Sequence, residues 1–200
     1  MIRKLSILAV FALFLLPVIT ATLLHTEWLD WRPVNLRNHG EFVSPVQPLT
    51  FAQLRTETGQ TLSAEDMTDK WFLIMHHPAK CGSDCVESFF WLRQIRAAQD
   101  RPQTSIGLML VSGQPVPTES LAQIYEWAPD THVLIGDEAS ELHDTLSTLA
   151  GDNVDSMVEG AHWIYLSDPM ANIMMRYDDE ADPNGIRRDL RRLLTWTQRD

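Results

Sequence analysis

WFLIMHHPAKCGSDCVESFF, residues 71–90, contains the change of pattern on which the fold turns. Trp71–His76 is a short, continuous apolar run, the look of a strand buried on both faces. From Asp84 the period changes. Val86, Phe89, Phe90, Leu92 and Ile95 recur at helical spacing and predict a helix over Asp84–Gln99, opening near Gly82 to Asp84. Cys81 and Cys85 fall at the junction, and they are the only 2 cysteines in 200 residues. In a helix that opens there they sit one turn apart and project to one side, with Cβ atoms about 5–6 Å apart. That spacing allows a shared metal ion, and a disulfide needs only a small adjustment. Unpaired amides at a helix start lower the pKa of a thiol at Cys81, and Lys80 pushes the same way. Two thiolates suit Cu(I), and a nearby imidazole would suit Cu(II) as well. The same pair also suits thiol–disulfide exchange, with Cys81 attacking and Cys85 resolving, or a bridge with a purely structural role.

Downstream, the chain continues to alternate. Ser105–Val111 (SIGLMLV) predicts a second buried strand, and Pro117–Trp127 a helix with Leu121, Ile124 and Tyr125 on one face. Thr131–Ile135 is a short strand and Glu138–Leu149 an amphipathic helix. His162–Leu166 and Ile173–Tyr177 flank SDPMAN, the pattern of a hairpin. Asp182-Pro183 opens a last helix as N-cap and first helical residue, with Ile186, Leu190, Leu193 and Leu194 inward and four arginines outward. Strands alternating with helices make an α/β domain. Trp91 and Trp127 are expected in its core. His39, His132 and His143 acquire no role from the sequence. His76 and His77, just before Cys81, could add a nitrogen ligand or tune the thiolates.

Upstream, Leu5–Leu24 is an apolar run of bilayer length, since 20 residues of helix span about 30 Å. Arg3 and Lys4 precede it, which keeps the N-terminus cytoplasmic and exports the rest. Trp28 and Trp31 follow where indoles prefer the membrane interface. A cleaved signal peptide is the alternative, but the run is long and Thr20-Ala21-Thr22 is a poor cleavage site. The expected organisation is a transmembrane anchor over 1–24, a proline-bearing linker over 25–48 and the folded domain over 49–200. A net charge of −11 argues against nucleic acid as a partner. Apolar residues at 44% and charged residues at 22% are those of an ordinary globular protein.

Lys70-Trp71-Phe72-Leu73-Ile74, the CGSDC pair and the following helix with Leu92-Arg93 resemble the Sco/SenC family of cytochrome c oxidase assembly proteins. The ending WIYLSDPMANIMMRYDDEADPNGIRRDLRRLL is similar to that family's closing hairpin and helix. The NHGE segment at residues 38–41 and the DP…NIMMR hairpin resemble a divergent proteobacterial branch of it. The resemblance, over roughly Asn38–Trp196, implies a thioredoxin-like fold behind an inner-membrane anchor, with the domain facing the periplasm. It implies a copper ion held by Cys81, Cys85 and a histidine, for which His162 is the candidate. The implied partner is the copper-bearing subunit of cytochrome c oxidase or another assembly factor. Gly82 and Val86 stand where the family carries prolines, and His162 lies closer to the Tyr165-Leu166 strand than is usual. Three functions fit these residues: a copper-handling assembly factor, an extracytoplasmic thiol–disulfide oxidoreductase, and a scaffold that uses the pair only structurally.

Overall fold

The computed structural model describes residues 12–20, 22, 38–49, 54–100, 103–136, 140–151 and 162–196. The chain divides into two units, Met1–Arg37 and Asn38–Asp200. In the first, residues 12–20 are helical and exposed. Most of the rest of the expected anchor, and residues 25–37 of the expected linker, lie outside the described residues. Among those described, no helix is long and apolar enough to cross a membrane.

The second unit is built on a sheet of six strands in the order β1-β8-β7-β4-β5-β6. These are β1 (Glu41–Pro48), β4 (Trp71–His77), β5 (Ile106–Ser112), β6 (His132–Ile135), β7 (Trp163–Ser167) and β8 (Asn172–Tyr177). A separate hairpin pairs β2 (Leu54–Arg55) with β3 (Thr61–Leu62). The helices are α1 (Ser83–Ala97), α2 (Thr118–Trp127), α3 (Ser140–Ala150) and α4 (Pro183–Trp196). β4, β5 and β6 run parallel, whereas β7 is antiparallel to both β4 and β8. The strand–helix–strand crossovers of α1 and α2 supply the parallel pairs, and the SDPMAN turn supplies the antiparallel one.

One expectation is corrected here. The domain begins at Asn38, not residue 49, because Glu41–Pro48 is an edge strand paired with β8. Pro45 and Pro48 suggested a linker, but an edge strand needs no amide on its outer side and tolerates proline.

Alternation along the central strands divides the core between the two faces of the sheet. Leu73 and Met75 of β4 join Phe89 and Leu92 of α1, Ile124 of α2, and Leu190 and Leu194 of α4. Phe72 and Ile74 face the other way, towards Leu142 and Leu146 of α3 and the β2–β3 hairpin. Every residue of β4 is buried, as expected for a strand covered on both sides. α4 opens as read: Asn184 N donates to Asp182 Oδ1 at 3.0 Å, which makes Asp182 the N-cap. Trp91 departs from expectation. It is 47% exposed, on the outer side of α1.

Candidate functional site

Cys81 ends the loop that follows β4, and Cys85 lies in the first turn of α1. The helix brings them together as their spacing predicts, with Cα atoms 5.1 Å apart and the two sulfurs joined in a disulfide. The pair is sealed from solvent. Cys81 is 0% and Cys85 1% exposed, and both belong to the core on the α1 side of the sheet. In the loop that leads into the pair, Pro78, Ala79 and Gly82 are half-buried and Lys80 is exposed. No side chain caps α1 at Gly82, so its first-turn amides remain the positive end beside the sulfurs.

That loop is fastened to the ends of β4 and β5. Gly113 N donates to His77 O at 2.9 Å. The Pro78 carbonyl lies where a side chain on Gly113 would stand, 2.1 Å from an ideal Cβ. The His77 ring is buried, and its Nδ1 lies 3.1 Å from Ala79 O. Ser112 Oγ is 2.7 Å from Gln114 O and 3.4 Å from Ala79 O. Its single proton therefore goes to Gln114, and His77 is the donor that serves Ala79.

His162 immediately precedes β7 and is half-buried. It lines a groove of about 310 Å³ between α1 and the start of α4, together with Asp84, Glu87, Trp91, Asp178 and Asp179. The structure thus unites Cys81 with Cys85 and places His162 on the lining of this acidic groove. No group of three or more His, Cys, Asp or Glu among the described residues could hold a metal ion.

Three histidines left without a role in the sequence have definite surroundings. His76, buried on the α3 side, has its Nε2 3.0 Å from Nδ1 of His143, with the rings edge to face. Burial, then the neighbouring His143 and His77, lower its pKa to about 3. A 3.6-residue period places His143 beside the buried Leu142 and Leu146, but its partner on β4 is 67 residues away and no local pattern shows it. His39 and Gly40 donate their backbone amides to the buried carboxylate of Asp189 on α4, at 2.6 and 3.0 Å. Tyr177 Oη lies 3.4 Å from the same carboxylate, and burial with that neighbour raises its pKa. This contact anchors the NHGE segment to the last helix. His132 opens β6, and burial lowers its pKa, with Lys70 adding to the effect.

A mixed sheet whose central strand leads through a Cys-x-x-x-Cys loop into a helix, and which closes with an antiparallel hairpin and a helix, defines a thioredoxin-like protein. Residues 71–197 match the family model "Transmembrane-like, thioredoxin-like, C-terminal domain", more than half of the chain, and the chain belongs to that family. No curated protein matches it. Among solved structures, yeast Sco1 with copper bound is similar at a TM-score of 0.56 and 12% identity, covering 76% of this chain and 95% of that one. A SCO1/SenC family lipoprotein from Bacillus anthracis gives 0.53 at 18%, covering 76% and 96%. A thiol:disulfide interchange protein from a Bacteroides species gives 0.52 at 15%, covering 75% and 90%. At these identities the likeness is one of fold.

Proposed function

We propose that this protein carries copper as cargo on its reduced Cys81–Cys85 pair and delivers it during assembly of a respiratory cytochrome c oxidase. In this reading it is held by its N-terminal segment in the inner membrane with the domain on the periplasmic side. The observation that carries the proposal is the position of the pair, where the central strand passes into α1. The fold is shared with copper-bound Sco1, and the apolar run 5–24 behind Arg3 and Lys4 supports the anchor.

The donors fit the cargo. Two thiolates one helical turn apart are soft ligands suited to Cu(I), and the α1 amides favour their ionised form. Loading requires the disulfide to be opened first. A dithiol donor contributes two electrons and two protons, becomes a disulfide itself, and leaves Cys81 and Cys85 as thiols. Each thiol loses its proton when the sulfur binds Cu(I), and regains one when the ion passes to an acceptor's ligands.

A second reading is favoured by the sulfur–sulfur bond itself. Here the pair is a thiol–disulfide oxidoreductase that keeps partner cysteines reduced. The Cys81 thiolate attacks the partner disulfide, Cys85 displaces the mixed disulfide, and the partner leaves with two thiols.

Cu(I) titration of the reduced full-length protein in detergent, against a competing chelator, tests the first reading. One ion bound tightly, and lost in the Cys81→Ser/Cys85→Ser protein, is the expected result. Weak binding, or binding unchanged by the double substitution, defeats it. Mixed disulfides trapped by Cys85→Ser would then support the oxidoreductase. Oxidase assembly sustained by the double mutant would leave only a scaffold.

A further inference from the structure

The helix that carries Cys85 also carries an exposed tryptophan that the core does not account for. Asp84, Ser88, Trp91 and Ile95 follow one another along α1 at steps of three or four, with Glu87 beside them, and share one face. All five line the groove that also contains His162. Phe89 and Leu92, on the inner side of α1, are buried, whereas Trp91 is 47% exposed. Its indole is braced all the same. Phe90 meets it edge to face at 5.7 Å and packs against Trp127 at 5.3 Å. An exposed tryptophan in a groove is the residue type on which binding energy concentrates.

The groove, of about 310 Å³, has an apolar base and a rim charged with one sign. Ile95, Ile164 and Ile186 are its most buried lining residues, and they belong to the same core as Cys81 and Cys85. Asp84 and Glu87 of α1, with Asp178 and Asp179 after β8, are exposed, and no lysine or arginine lines the groove. None of these four carboxylates has an ion pair among the described residues, whereas Asp100, Asp130 and Asp182 each face an arginine. Like charges around one small groove repel each other, and a cation entering it relieves that repulsion.

The chemistry selects the cation. A metal ion does not fit, because no group of His, Cys, Asp or Glu among the described residues could hold one. A lysine or arginine side chain does. Its methylene stem lies along apolar surface while its head reaches the polar rim. The indole face attracts the charge, and the carboxylates accept charge-assisted hydrogen bonds from it.

We propose that this groove docks an exposed segment of a partner protein that presents lysine or arginine side chains, and holds it against the helix that carries Cys85. This deepens the function proposed above and rests on it for the purpose of docking, since cargo transfer and thiol exchange both require a second protein at α1.

The test uses the full-length protein in detergent, labelled with fluorotryptophan and followed by fluorine NMR. Among the signals of 7 tryptophans, that of Trp91 is the one missing from Trp91→Phe. The probe is a capped peptide of alternating lysine and alanine, with a glutamate–alanine peptide of equal length as control. The lysine peptide is expected to move the Trp91 signal saturably, with an affinity that falls as salt is added. The glutamate peptide should leave it in place. Asp178→Asn/Asp179→Asn and Trp91→Ala change exposed side chains, and circular dichroism confirms that both proteins are folded. Each is expected to bind the lysine peptide about 10-fold more weakly by calorimetry. A Trp91 signal that ignores the lysine peptide, or moves alike with both peptides, overturns the proposal. So does a folded double variant with wild-type affinity. Self-association of the full-length protein that disappears in Trp91→Ala would assign the groove to a second copy and overturn it as well. None of these readings depends on copper, so a failed Cu(I) titration leaves the docking proposal standing, and a failed peptide titration leaves the copper reading untouched.

Discussion

His76 is an imidazole held neutral inside the protein. Its ring is 1% exposed, Nε2 meets His143, and Nδ1 has no hydrogen-bond partner among the described residues. A charge there would lose its hydration and face a second imidazole, so burial and His143 together lower the pKa from 6.5 to about 3. The consequence for stability has a definite sign. Above pH 6.5 the ring is neutral both folded and unfolded, and contributes no pH dependence. Between pH 6.5 and about 3 only the unfolded chain binds the proton, so stability falls as the pH falls. The slope from this one group reaches up to about 1.4 kcal/mol per pH unit. Urea unfolding of the wild type and His76→Gln across that range is expected to show a shallower acid loss in the variant. Parallel curves would mean that the buried ring takes up its proton without cost.

At the scale of elements, the loop that leads into Cys81 owes its path to the meeting of two strand ends. At Gly113, just past β5, an added methyl group would meet the Pro78 carbonyl oxygen at 2.1 Å and its carbon at 2.9 Å. Both are backbone atoms, which cannot rotate aside as a side chain would. Gly113→Ala must push the loop away from β5 and loosen the Gly113 N–His77 O bond. It is expected to lower stability by about 1–3 kcal/mol, the usual cost of overpacking. It should also speed reduction of the disulfide by dithiothreitol, because the displaced loop leads directly into Cys81 and loosens the packing around it. Wild-type values for both would show that the loop yields without penalty. The sequence made the elements here readable, because the central strands are apolar runs and the helices between them carry apolar residues at helical spacing. Trp71–His77 and Ser83–Ala97 fall within two residues of their expected limits. The β1 strand was not legible, since prolines look alike in a linker and along a sheet edge, and only the partner strand distinguishes them. The site was legible as far as its two cysteines, which are local to one helical turn. The burial of the pair, and the meeting of His76 with His143, depend on strand order and packing, which no local pattern encodes.

At the scale of the whole molecule, the disulfide is a minor part of what holds the domain together. The sheet is covered on both faces, by α1, α2 and α4 on one side and by α3 with the β2–β3 hairpin on the other. A bridge between residues only 4 positions apart removes little freedom from the unfolded chain, about 2 kcal/mol in the loop-entropy account. A domain of this size with two continuous cores has stability to spare for that loss, since folded domains typically retain about 5–15 kcal/mol. A working pair also requires this, because the thiols must bind cargo or attack a partner while the domain remains folded. Reduction is therefore expected to lower the free energy of unfolding by no more than about 2 kcal/mol, with the sheet and helices intact. Urea unfolding followed by circular dichroism, with and without reductant, measures the difference, and Cys81→Ser/Cys85→Ser provides the same comparison without reductant. Global unfolding on reduction would identify the bridge as a structural staple and remove the basis for cargo transfer and thiol exchange alike. A small loss would leave the pair able to open and close within a standing fold, as both functions need.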